Sequence, residues 1–255
     1  MARALDPNQL QEAASIINKA RRVVAFTGAG ISVPSGIPDF RSPGGLWTKF
    51  DPFEVASAHA LENNPRKVWE FMLATVDLLG RSQPNPAHIA LAELEKNSRM
   101  TGIITQNIDN LHQRAGSSLV VEYHGNFQRF YCRGCFRECS EHEVMAECSR
   151  SIPVWCPSCG SLVRPDVVFF GEAIPSMAHQ QSMELIQAAD VLIVVGTSGE
   201  VAPANVFPRQ VKLSGGKIIE VNLGPTHYAD ITDVRFNAPA EDVLPQLADL
   251  VFGHS

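Results

Sequence analysis

Apolar residues recur at helical spacing from the start of the chain. Leu10, Ala13 and Ile17 share one face behind Asp6 and Pro7, a good N-cap and first helical residue, and predict a helix ending near Lys19. The period then collapses into a continuous apolar run at 23–26, read as a short buried strand that enters a glycine turn. Residues 31–60 are rich in Pro and Gly, and so long a punctuated segment is a candidate cofactor clamp or lid. From Asn64 and Pro65, a helix carries Val68, Phe71 or Met72, Val76 and Leu79 on one side, and a second spans Pro86 to Lys96. Gly102–Thr105 reads as a strand, followed by a polar turn and LHQRAG in helical form, and LVVEYHG as a strand ending at His124. After a cysteine-rich interruption, DVVFFGE returns to extended apolar chain, and MELIQAAD, VLIVVGTSG, KIIEVN and AEDVLPQLADLVF supply further elements.

This alternation predicts an α/β protein with an open, mostly parallel sheet, helices on both faces and a small inserted module. The expected larger unit covers 1–127 and 167–255, and the module 128–166, joined by a helical part from 40–80. A strand leading into a glycine turn resembles the opening of a nucleotide-binding α/β fold. At 255 residues and 45% hydrophobic, the chain is long enough for one substantial core. Its net charge of −6 implies no extended phosphate-binding surface, so direct nucleic-acid binding is not expected. No stretch approaches the roughly 20 apolar residues that cross a bilayer, and MARALDPNQLQEAA lacks a signal-peptide core. The expectation is a soluble cytoplasmic protein with no membrane association.

All six cysteines fall between Cys132 and Cys159. CRGC and CPSC form two matched knuckles, Cys132 with Cys135 and Cys156 with Cys159, suited to tetrahedral zinc that orders a segment with little core of its own. An iron–sulfur centre or redox thiols are the alternatives. Cys139 and Cys148 are read as small buried or half-buried thiols. Four cysteines close the site, so His124 is not required as a ligand.

GAGISVPSG contains Gly28, Gly30 and Gly36, but Val33 breaks the dinucleotide GxGxxG pattern, leaving a phosphate loop and a tight structural turn equally open. Ser32 is a candidate phosphate donor. Gly196, Thr197 and Ser198 form a second glycine and hydroxyl turn after an apolar strand, and two such turns favour one long ligand across the sheet edge. In TQNID, Gln106, Asn107 and Asp109 offer groups for ribose hydroxyls or a carboxamide, with helix capping as the alternative for Asn107 and Asp109. Asp39 and Arg41 in IPDFR are either binding residues or a loop ion pair anchored by Phe40. His124 is a candidate general base because imidazole changes protonation near neutrality, against the blander reading of a structural histidine.

GAGISVPSGIPDFR, TQNID, YHGNF, the two CxxC pairs, RPDVVFFGE, GTSGEVAPA and IIEVN occur together in an order that resembles the sirtuins, the NAD-dependent protein lysine deacylases. The resemblance covers nearly the whole chain. It implies a Rossmann-like large domain, a zinc-binding small domain, and a cleft where NAD meets an acylated lysine of a protein substrate. It implies that Gly28, Ala29, Gly30, Ser32, Asp39, Phe40 and Arg41 form the first cofactor loop. Gln106, Asn107, Ile108 and Asp109 then fall on the ribose and nicotinamide side, and Gly196, Thr197 and Ser198 by phosphate or the adenosine-side ribose. Asn222, Leu223 and Ala238 fall on the adenosine side, though Gly224 replaces an acidic residue present in many relatives.

His124 matches the catalytic base, with Asn107 beside it, and Cys132, Cys135, Cys156 and Cys159 match the zinc ligands. The implied reaction starts with attack of the acyl-lysine carbonyl oxygen on C1' of the nicotinamide ribose and expulsion of nicotinamide. His124 then helps the 2'-oxygen accept the acyl group, so NAD is consumed and lysine is freed with O-acyl-ADP-ribose. The substrate peptide is expected to pair with Phe170, Gly171 and Glu172 on one side and with the GEV run ending in Glu200 and Val201 on the other. Val168, Phe170 and Val201 would line the acyl-lysine tunnel. Relatives that prefer succinyl or malonyl groups carry a YxxR pair where this chain has Met72 and Thr75, so acetyl is expected first and longer apolar acyl groups next. Glu200 is expected to favour cationic flanks modestly. The competing readings are protein ADP-ribosyl transfer, an NAD-responsive binding module and, at the level of fold alone, a hydride-transferring dehydrogenase.

Overall fold

The computed structural model describes residues 5–39, 45 and 48–253. The Asp6 carboxylate accepts from the Asn8 N–H at 2.9 Å, and with Pro7 in the first turn it starts helix α1, Pro7–Lys19, as expected. The apolar run after it is β1, Val23–Thr27, buried at all five positions. It ends in a tight 3-10 turn, Ala29–Ser35.

Three helices follow: α2, Pro52–Val55; α3, Ala58–Asn63; and α4, Pro65–Arg81. They break the proline- and glycine-rich stretch more than its composition suggests, because Asp51, Ser57 and Asn64 each cap a helix start. Next come α5, Pro86–Lys96; β2, Gly102–Thr105; the single turn α6, Leu111–Arg114; and β3, Val120–Glu122. β3 stops two residues before the expected end at His124.

A second sheet contains β4, Gly125–Cys132; β5, Glu138–Cys139; and β6, Val163–Val167, with α7, Glu141–Cys148, between the last two. The chain then returns through α8, Ser176–Ala188; β7, Val191–Val195; α9, Phe207–Leu213; β8, Lys217–Val221; β9, Val234–Phe236; and α10, Ala240–Phe252. Among the described residues, no helix is long and apolar enough to cross a membrane.

The first sheet has the order β3-β2-β1-β7-β8-β9, with parallel pairing throughout. Its order reverses between β1 and β7, which opens a crevice at the carboxyl ends of the strands. Register places Thr27, Thr105 and Val195 level at that edge. One face is sealed by α1, α5 and α10 through Leu10, Ile17, Leu91, Leu94, Leu244 and Leu247. The other is covered by α8 and α9 through Ile186, Phe207 and Val211.

The antiparallel sheet, ordered β5-β4-β6, shares a separate core with α4, where Val68, Trp69 and Met72 meet Phe127, Phe130 and Val163. The Trp69 and Phe130 rings stack with centroids 6.4 Å apart. DVVFFGE is therefore only partly strand, and that part belongs to the second sheet. Beyond Val167, the Val168 N–H donates to the His124 carbonyl at 2.9 Å, while Phe170 bridges to Ser57.

Gly125 makes the passage between sheets possible. Its φ of +82° suits glycine, and a Cβ there would stand 2.0 Å from the Asp166 carbonyl oxygen. We expect Gly125→Ala to lower the unfolding free energy by about 2 kcal/mol or more, since backbone strain and backbone collision add. Chemical denaturation measures this, and unchanged stability would contradict the assigned geometry.

Candidate functional site

The crevice is assembled from the turns after β1, β2 and β7. The Gly28 N–H donates to the Val195 carbonyl and the Gly30 N–H to the Gly196 carbonyl, each at 2.9 Å. A Cβ on Gly30 would lie 2.7 Å from the Gly196 Cα, and one on Gly196 would lie 2.3 Å from the Ile31 nitrogen. The two turns thus pack backbone against backbone, as a cradle for a phosphate-bearing ligand requires.

Polar side chains converge there. The Ser32 hydroxyl donates to Asp109 Oδ2 at 2.6 Å. Asn107 Nδ2 donates to the Gly28 carbonyl at 3.1 Å and to Ser32 Oγ at 3.2 Å. Asp109 also caps locally, because its Oδ1 accepts from the Leu111 N–H at 3.0 Å. Capping and a place at the site therefore coexist in one carboxylate. Burial raises the Asp109 pKa, against the opposing pull of the Ser32 and Leu111 hydrogen bonds.

Gln106 joins the three turns. Its N–H donates to the Thr27 carbonyl at 2.9 Å, and its Nε2 donates to Thr197 Oγ1 at 3.0 Å. Its carbonyl accepts from His124 Nδ1 at 3.0 Å. That bond places the neutral imidazole's proton on Nδ1 and leaves Nε2 as the lone-pair nitrogen. Burial lowers the His124 pKa, with the Gln106 carbonyl opposing.

The other expected cofactor residues distribute along the same edge. Ala29, Ile108 and Ser198 are half-buried in the three turns, and Asn222, Leu223 and Ala238 follow β8 and β9. Asn222 is held by its N–H to the Phe236 carbonyl at 3.1 Å, whereas Leu223 is 65% exposed. Asp39 is half-buried. Phe40 and Arg41 lie outside the described residues.

In the segment expected to meet the peptide, the Val168 N–H is the group that donates to the His124 carbonyl. The Phe170 N–H donates to the Ala56 carbonyl at 2.9 Å, and its carbonyl accepts from the Ala58 N–H at 3.0 Å. Those two backbone groups are already paired within the chain. Gly171 turns the backbone at φ +88°. The Glu172 carboxylate accepts from the buried Arg164 guanidinium at 2.8 Å and from the Phe169 N–H at 2.9 Å. In the GEV run, Glu200 is exposed and Val201 half-buried.

Cys132, Cys135, Cys156 and Cys159 bring all four Sγ atoms within 4.8 Å of one another. The Cys132–Cys159 and Cys135–Cys156 sulfur separations are 3.4 and 3.8 Å. Tetrahedral zinc with bonds of about 2.3 Å needs sulfurs about 3.8 Å apart, so the donor set fits that ion. The Ser158 backbone N–H draws the Cys156 thiol down to about 6, and the Ser161 backbone N–H lowers Cys159. Buried Cys139 and half-buried Cys148 stand outside the cluster.

Sequence reasoning passed over the residues beneath the crevice. Asn85 caps α5 and also donates through Nδ2 to the Ile31 carbonyl at 2.7 Å and to Ser35 Oγ at 2.9 Å, pinning the turn after β1. The Asn85-Pro86 pair signals a helix start, but nothing in it signals that second task. Thr27, Thr105 and His112 form a buried group below Asn107 with no local motif.

The model of the Sir2 family matches residues 28–203. The NAD-dependent protein deacylase of Pyrococcus furiosus is 45% identical over 247 residues, covering 94% of this chain and 97% of that protein. Two solved structures, one of Sir2 bound to acetylated peptide and one of Sir2 with p53 peptide and NAD+, each give a TM-score of 0.89 at 36% identity. Each comparison covers 96% of this chain and 99% of the other.

We expect one tightly held zinc per chain, with Cys156→Ser reducing metal content well below stoichiometric. Elemental analysis of the purified protein checks this, and full zinc retention by the variant would exclude the four-thiolate assignment.

Proposed function

Because the chain belongs to the Sir2 family, we propose that it is an NAD-dependent protein lysine deacylase that removes acetyl groups and releases nicotinamide and O-acetyl-ADP-ribose. The observation that carries this reading is the His124 imidazole, tied through Nδ1 to Gln106 at the edge where Ser32, Asn107 and Asp109 converge. When bound, NAD supplies an electrophilic ribose carbon and the hydroxyl that takes the acyl group.

The chain's own groups divide the remaining work. Gly28, Ala29, Gly30, Thr197 and Ser198 hold phosphate and the nearby ribose, with glycine allowing the turns to approach. Asn222, Leu223 and Ala238 hold the adenosine end. Asn107, Ile108 and Asp109 hold the reacting ribose and carboxamide. Asp39, Phe40 and Arg41 complete the loop over them. His124 Nε2 removes a ribose hydroxyl proton, and the Gln106 carbonyl stabilises the imidazolium that forms by accepting from Nδ1–H.

The acylated lysine enters beside Val168, Phe170 and Val201, with its backbone along Gly171, Glu172 and Glu200. The internal ion pair of Glu172 supports a main-chain role for that residue. Acetyl preference is supported by Met72, which is 1% exposed within the second core, and by Thr75, whose hydroxyl donates to the Phe71 carbonyl at 2.9 Å. Neither offers a cation to an acidic acyl group. The proposed division assigns 1–127 and 167–255 to the NAD-binding domain, and 128–166 with a helical part from 40–80 to the smaller one. We place the protein in the cytoplasm, where reduced thiols remain available as metal ligands.

His124→Ala is expected to reduce coupled formation of free lysine and acetyl-ADP-ribose by about 100-fold or more, with folding and zinc retained. Mass spectrometry of NAD and acetyl-peptide mixtures measures this. Near-normal turnover would remove the base from the scheme, and ADP-ribose on the protein in place of free lysine would indicate transfer chemistry. The pH dependence has a defined sign. The base acts when neutral, and burial lowers its pKa from 6.5, so kcat/KM should stay level through neutrality and fall only below 6.5. An acid limb centred above pH 7 would contradict the assignment.

A further inference from the structure

Directly under the crevice lie two histidines for which the proposed mechanism has no use. His88 on α5 and His112 on α6 are 0% and 1% exposed, with ring centroids 4.9 Å apart. Among the described residues, His88 Nε2 and His112 Nδ1 have no hydrogen-bond partner, so a pair of apolar side chains would fill this space with fewer unmet polar atoms. Their remaining nitrogens show what the pair does.

The Asn85 N–H donates to His88 Nδ1 at 3.4 Å, which puts the His88 proton on Nε2. His112 Nε2 meets Thr27 Oγ1 at 2.9 Å, and the Thr27 hydroxyl donates to Thr105 Oγ1 at 2.9 Å. Thr105 Oγ1 in turn accepts the Asn107 N–H at 3.1 Å. With its hydroxyl proton given to Thr105, Thr27 accepts from His112 Nε2–H. His112 Nδ1 is then the unprotonated nitrogen, and the two rings pack with their planes at 59°. Burial keeps both rings neutral, the His88 pKa falling to about 4 and that of His112 well below its ordinary value.

We propose that His88 and His112 are positioning residues that act through Thr27 and Thr105 to hold the Asn107 backbone, and so keep its carboxamide at the reacting ribose. The inference rests on the reading of Asn107 as a site residue. Asn85 extends its reach, because the residue that orients His88 also grips the Ile31 carbonyl in the first cofactor turn. The pair thus couples two walls of the crevice from below, without touching a ligand.

Thr105→Val deletes the hydroxyl while keeping a branched side chain, and Thr105→Ser restores it. The valine variant is expected to lower kcat for acetyl-peptide by about 10-fold or more while ADP-ribose affinity changes by less than about 3-fold, with the serine variant recovering most of the loss. The Asn107 amide should also exchange its hydrogen faster in the valine variant. If that variant does not fold, His112→Leu against His112→Gln makes the same comparison. Wild-type kcat in the valine variant, equal losses in valine and serine variants, or a kcat loss matched by an equal loss of ADP-ribose affinity would overturn the positioning role. Failure of the wild-type protein to deacetylate would instead strike the functional reading, and Asn107 amide exchange would then decide alone whether the buried chain holds that backbone.

Discussion

Everything at the crevice depends on contact between two stretches of main chain that tolerate no side chain between them. Gly30 and Gly196 touch where the strand order reverses, so the turns after β1 and β7 form one continuous floor. A single Cβ at either position would push those turns apart and misalign the amides that a phosphate would meet. The parallel pairing of β1 with β7 sets the distance, and the glycines permit it. Placement of Ser32, Thr197 and Gln106 follows from that floor.

Gln106 ties that floor to an imidazole. It fastens to β1 through its N–H, to the β7 turn through its side chain and to His124 through its carbonyl. The imidazole is thereby referenced to the same atoms that define the crevice floor. The cysteine cluster serves a different need. β5 in the antiparallel sheet is only two residues long, and four thiolates around one ion would cross-link the segments beyond the strand ends, which few apolar contacts can hold.

Legibility in the sequence followed from how local each signal was. The runs that became β1, β2, β7 and β8 stand out because strands buried on both faces are continuously apolar, and α1, α4 and α5 combine clear caps with a helical stripe. β5 and β9, two and three residues long, carry too little pattern to be seen, and α7 lies inside a segment dominated by cysteine spacing. The residues expected at the candidate site stood out because they fall in compact motifs at strand ends. The Thr27, Thr105, His112 and His88 group did not, since it draws on four separate elements and exists only once parallel pairing has set Thr27 beside Thr105. The commitment of Phe170 to Ala56 and Ala58 was invisible for the same reason, because its partners lie over a hundred residues away.

The passage between the two sheets has a mechanical character of its own. Outgoing Gly125 pairs with incoming Val167, and the Val168 N–H returns to the His124 carbonyl, so the linkage is a bonded two-stranded ribbon. Both crossings between the sheets are thus fastened to each other next to His124, so the main chain that carries this imidazole is held from the parallel sheet and from the antiparallel one at once.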